Sequence, residues 1–255
     1  MSKMLSQAIA LAFSCGLAAT AQATPITFTG SSGSLAALVT FDVSGSNLLV
    51  HLENTSTGDP AAPGDILTGV IFSIGGNPLL TRTSATLAPG STVIHGPTPA
   101  TDPGNVVGGE WAYTNALMGS YVGQSAIYSS GYFDGNAVFP GSNLQGPGSV
   151  DGIQYGITTA FDTSGNDNTG IASVGLISYA VDFVLAGLPN GFNLSSIGGV
   201  SFQYGTSLSE PNIPGIEDDC TGVCTRSVPE PSSLGLLAAG MLGFAFLSRA
   251  RRRSR

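Results

Sequence analysis

Positive charge is almost missing from most of this sequence. Of 8 lysines and arginines in 255 residues, Lys3 lies at one end and Arg249, Arg251, Arg252, Arg253 and Arg255 crowd the other, so residues 24–228 keep only Arg82 and Arg226. That stretch also holds every one of the 16 acidic residues except Glu230, and two cations against fifteen carboxylates leave it at −13. No broad cationic surface exists there to neutralise phosphates, which excludes nucleic-acid binding. Self-repulsion keeps such an acidic, lysine-free body soluble and turns it away from anionic membranes.

Histidine and cysteine are equally sparse. The two histidines, His51 and His95, have no catalytic neighbour in sequence, and there is no G-x-S-x-G elbow, no H-E-x-x-H pair and no phosphate-binding glycine loop. These absences argue against an enzyme and against any cofactor or metal. Paired carboxylates of the glycoside-hydrolase kind escape such a search, because they meet in space rather than in sequence. Glycine and proline, by contrast, are plentiful at 36 and 15 residues. Their share is too low for low-complexity disorder, and no Gly-X-Y period runs through them, so a folded domain is expected.

Apolar residues in the body follow a period of two, which in a strand sends alternate side chains to opposite faces. Val39, Phe41 and Val43 alternate with Thr40, Asp42 and Ser44; after the turn-like Ser44-Gly45-Ser46-Asn47, Leu48, Val50 and Leu52 continue the pattern, predicting a hairpin. His51 falls on its solvent face. Further strand-like runs are Leu67–Ile74, Leu79–Leu87, Ile153–Phe161, Leu176–Leu185 and Val200–Gly205, the clearest stripe being Tyr179, Val181, Phe183 and Leu185. No capped helical stripe interrupts them. The pattern predicts an all-β fold, a single antiparallel β-sandwich of jelly-roll-like form over residues 24–226. From Gly96 to Ser149 the alternation weakens among glycines and prolines, predicting long loops across one end or edge.

The two flanks read as targeting segments. Residues 1–23 combine Lys3, an apolar stretch from Ala8 to Ala19 and small residues at Ala21 and Ala23, the pattern of a signal helix cleaved by signal peptidase. Near the other end, Val228-Pro229-Glu230-Pro231 precedes an uncharged run within Ser232–Ser248, then the arginines. Seventeen residues at ~1.5 Å each reach roughly 25 Å, within the tolerated range for a transmembrane helix. Arg249, Arg251, Arg252, Arg253 and Arg255 would act as the membrane stop, holding that side in the cytoplasm. Pro229 and Pro231 favour an extended strip just outside the membrane, the form in which proteases and transpeptidases take their substrates.

Pro-Glu-Pro, a short hydrophobic helix and an arginine cluster, in that order over residues 227–255, resemble the PEP-CTERM sorting signal of exopolysaccharide-producing Gram-negative bacteria. The resemblance implies recognition near Pro229, Glu230 and Pro231 by an exosortase, an integral-membrane cysteine transpeptidase. It also implies transient inner-membrane anchoring and delivery to the cell surface or the extracellular, biofilm-associated matrix, with exopolysaccharide as a possible partner. Segments such as Gly108–Tyr113 and Val200–Thr206 look similar to bodies that accompany this tail in other exosortase-dependent proteins, which carry no activity over to this one.

Three features of the body offer chemistry, each with a plainer reading. Cys220 and Cys224, the pair left once Cys15 departs with the signal, favour a disulfide in an exported chain, with a metal pair as the rival. Asp162-Thr163-Ser164-Gly165-Asn166-Asp167-Asn168 resembles a calcium loop, but Asp167 stands where such a loop needs glycine and Ser173 where it needs glutamate, so a polar turn is favoured. Trp111, near four tyrosines, is a candidate glycan contact, although packing within a glycine-rich region is the favoured reading.

Overall fold

The computed structural model describes residues 24–96, 105–129, 142–145, 153–162, 170–171, 174–206 and 209–218. Backbone contacts divide the chain into two units, 1–218 and 219–255, and the second lies outside the described residues. The expected signal helix and transmembrane helix, the sorting motif, the Cys220–Cys224 pair and the arginine cluster lie outside them as well. Among the described residues, no helix is long and apolar enough to cross a membrane.

The body is all-β. In chain order its strands are β1 (Ile26–Ser32), β2 (Leu35–Ser44), β3 (Asn47–Asn54), β4 (Leu67–Ile74), β5 (Thr81–Leu87), β6 (Thr92–Ile94), β7 (Ala112–Thr114) and β8 (Ser125–Tyr128). There follow β9 (Ser142–Asn143), β10 (Ile157–Thr158), β11 (Leu176–Ser178), β12 (Ala180–Ala186), β13 (Ile197–Tyr204), β14 (Asn212–Pro214) and β15 (Ile216–Glu217). One sheet has the order β15-β1-β2-β3-β12-β5; the other runs β6-β11-β10-β4-β8-β7-β9, with β13 pairing both β4 and β14. The fully antiparallel expectation needs a correction, because β10 and β11 pair in parallel through Ile157 with Ile177 and Thr158 with Ser178.

The predicted hairpin is β2–β3, closed at Gly45 in the left-handed region (φ 62°) that glycine enters at no steric cost. Alternation on its strands places Val39, Phe41, Val50 and Leu52 inward, where they meet β4 and β13 of the facing sheet in one core. Aromatic rings join the two sheets: Phe41 lies 5.1 Å from Phe72, and Trp111 lies 5.0 Å from Phe183. Such ring pairs add to what burial of their apolar surface contributes.

Two expectations change in three dimensions. The run Leu176–Leu185 is not one strand: Tyr179 takes φ 83°, and the chain passes there from β11 in one sheet to β12 in the other. The 96–149 region is not only loop, since β7, β8 and β9 extend the second sheet and are buried where β7 and β8 pack. The outer face of that sheet has its own small core of Ile71, Ala112, Leu117, Ala126 and Tyr128. That explains the weak alternation, because strands covered on both faces need no polar side.

The final segment crosses from sheet to sheet, β14 pairing with β13 and β15 with β1. The crossing demands glycine at Gly30, where a Cβ would stand 2.8 Å from the Pro214 carbonyl oxygen and 2.9 Å from the Phe202 ring.

Candidate functional site

The outer face of the first sheet gathers side chains that are far apart in sequence. Pairing of β2 with β3 and of β3 with β12 sets Thr40, His51 and Asp182 in one row across three strands. His51 Nδ1 lies 2.6 Å from Asp182 Oδ1, and Nε2 lies 3.6 Å from Glu53 Oε2, two residues along the same strand face. The Tyr179 ring stands beside the imidazole at 6.3 Å. A shallow hollow of about 380 Å³ opens next to this row, lined by Thr40, Asp42, Leu49, His51, Asp182 and Val184 among others.

Burial alone would lower the proton affinity of His51. The hydrogen bond to Asp182, joined by the charges of Asp182 and Glu53, outweighs it and raises the pKa from 6.5 to about 9. At neutral pH the ring is therefore an imidazolium that donates through Nδ1 to Asp182 and faces the Glu53 carboxylate as an ion pair. With its proton in place it has no lone pair to offer, so it neither takes a proton nor ligates a metal below that pH. Among the described residues, no group of three or more His, Cys, Asp or Glu side chains could hold a metal ion.

His95 is the second case of a partner hidden from the sequence. Its Nε2 lies 2.8 Å from Asp162 Oδ1, and Thr158 donates to Asp162 Oδ2 at 2.7 Å, with the histidine and aspartate side chains both buried. Asp162, the first residue of the calcium-like loop, thus spends both carboxylate oxygens on protein donors. The remainder of that loop, from Thr163 to Asn168, lies outside the described residues.

Trp111 is corrected as a glycan contact. It is fully buried, donates its indole N–H to the Tyr155 carbonyl at 3.1 Å and packs on Phe183, so no face is left for a sugar ring. Sequence reasoning saw an aromatic cluster; the missing signal was that the short strand following Trp111 lies inside the sheet. Neither the His51 row nor the His95 pair was legible either, because each joins residues 67 or 131 positions apart.

The comparison that speaks to function concerns the tail. Residues 227–253 match the family model described as the PEP-CTERM protein-sorting motif. The chain carries a PEP-CTERM sorting motif. The motif marks an exported, cell-surface or extracellular protein processed by an exosortase. Pro229, Glu230, Pro231 and four of the five clustered arginines fall within the matched residues. No curated protein and no solved structure matches the chain.

Proposed function

We propose that this PEP-CTERM chain is a non-catalytic cell-surface or extracellular-matrix protein, exported by its signal segment, anchored in the inner membrane by residues 232–248 and then processed near Pro229-Glu230-Pro231. The observation that carries the reading is the match to the sorting motif over residues 227–253. Two features of the body support a structural rather than chemical role. The most exposed histidine is held as an imidazolium between two carboxylates, and the other is buried against Asp162. His51 is thus no free base at neutral pH and His95 is buried, whereas acid–base or nucleophilic catalysis needs an accessible base beside its nucleophile.

The test is replacement of Pro229, Glu230 and Pro231 by alanine in the native host, followed by intact mass of the membrane and extracellular fractions. The variant is expected to accumulate in the membrane with residues 232–255 still attached. Normal release of the triple-alanine chain defeats the assignment of this motif as the processing signal.

A further inference from the structure

The sandwich has two unlike ends. β1 begins at Ile26, so the chain enters the body at Thr24 and Pro25, beside the Asp42 end of β2. β15 runs antiparallel to β1, and the Asp218 N–H bonds the Thr27 carbonyl at 2.8 Å. The chain therefore enters and leaves at the same end. Strand pairing places four connections there. They are the turn 45–46, the segment 75–80 from β4 to β5, the segment 115–124 from β7 to β8, and the segment 187–196 from β12 to β13.

None of the residues in these four connections is charged. Three of the five exposed large hydrophobic side chains among the described residues lie in them: Leu79 at 76% exposure, Val122 at 73% and Met118 at 50%. Asn77 donates to the Asn115 carbonyl, which ties the Leu79 and Met118 segments side by side. The nearest charges are Asp42 and Arg82 on the adjoining strands, with Glu217 and Asp218 flanking the exit. At the opposite end, Asp59, Asp65, Glu110, Asp162 and Glu210 all occupy the connections.

We propose that the uncharged end is a lipid-contacting surface that rests on the inner-membrane bilayer while the chain is anchored, with Leu79, Met118 and Val122 entering the interface and the acidic end, whose carboxylates repel anionic lipid, turned away. The inference rests on the anchoring reading above. Exposed apolar side chains gathered on one uncharged face mark an interaction surface, and burying them in the interfacial layer removes them from water. The absence of charge at this end spares the contact the desolvation cost that buried carboxylates would impose. Thirteen residues separate Asp218 from Ser232, and at ~3.3–3.6 Å each they span up to roughly 45 Å. A tether of that length permits contact without enforcing it, so the loops themselves must supply the attraction.

The test uses the full chain reconstituted into phosphatidylcholine vesicles doped with a phosphatidylcholine that carries a photoactivatable diazirine in its acyl chain. Vesicles are floated, irradiated and digested, and lipid adducts are mapped by mass spectrometry. Adducts are expected in 75–80, 115–124 and 187–196 at roughly tenfold or more over those in 55–66 and 205–211, the ratio that burial of one large apolar side chain gives. The double variant Leu79→Ser/Met118→Ser, changed only at exposed positions, is expected to lose about tenfold in adducts at 187–196. A floated chain with equal adducts at both ends, or a double variant without effect, overturns the proposal and leaves anchoring standing. A chain that fails to float defeats the anchoring reading, and the proposal with it.

Discussion

Stability of the body should fall as pH rises from about 6.5 to 9, and His51 should be the cause. Its pKa is 6.5 in an unfolded chain and about 9 in the fold, where Asp182 and Glu53 flank it and Asp42 lines the same hollow. A group whose pKa is raised by folding contributes its full stabilisation below the unfolded value and loses it as pH climbs through the folded one. Two and a half pH units correspond to about 3.4 kcal/mol as a ceiling. Because the Asp182 side chain is 41% exposed, solvent screening brings the expected loss to about 1–2 kcal/mol. For a domain of this size that is a Tm decrease of roughly 2–8 °C. Burial first of all holds Tyr113, Tyr155 and Tyr204 above the usual tyrosine range, so they stay protonated across this window. The assay is thermal unfolding at half-unit pH steps for the wild type and for His51→Gln, which keeps a polar group on the strand but cannot titrate. The difference between the two should shrink steadily from pH 6.5 to 9. Parallel pH profiles for the two proteins would refute the reasoning.

Trp111→Ala should cost about 3–5 kcal/mol, read as a shift in the denaturation midpoint, because it opens a void against Phe183 and strips Tyr155 of a donor. An unchanged midpoint would contradict its buried placement. Gly30→Ala should destabilise by about 1–3 kcal/mol, since the added methyl overlaps the Pro214 carbonyl and the Phe202 ring, and β15 should lose amide-exchange protection first. Asp162→Ala should cost about 1–3 kcal/mol by leaving His95 and Thr158 without their buried acceptor. The same loss with calcium or with chelator present would identify Asp162 as a hydrogen-bond acceptor and not a ligand; a loss seen only with calcium would reverse that assignment.

Much of the architecture was readable from periodicity, for a local reason. The β2–β3 hairpin buries one face, so Val39, Phe41, Val50 and Leu52 had to alternate with polar neighbours, and Gly45 supplied the turn. Where both faces are buried the signal fades. β4, with seven of its eight residues buried, was legible as the apolar run Leu67–Ile74 rather than by alternation, whereas the short β7 and β8, buried throughout, fell in the stretch expected to be loop. The break at Tyr179 left no trace in the stripe either side of it, since a residue with positive φ between two apolar runs has no compositional mark unless it is glycine.

The division between what each level decides follows from range. Local order along the chain was enough to place the delivery signal, because Pro-Glu-Pro, an apolar run and a basic cluster follow one another in linear succession. It was also enough to assign an all-β body, since strand period is a property of neighbours. Which side chains meet was settled only by sheet pairing: it drew Asp182 to His51 and Asp162 to His95, closed Trp111 inside the core, and brought the entry and exit of the chain to one uncharged end. Those contacts depend on strand register between distant segments, and a linear pattern carries no information about register until the strands have paired.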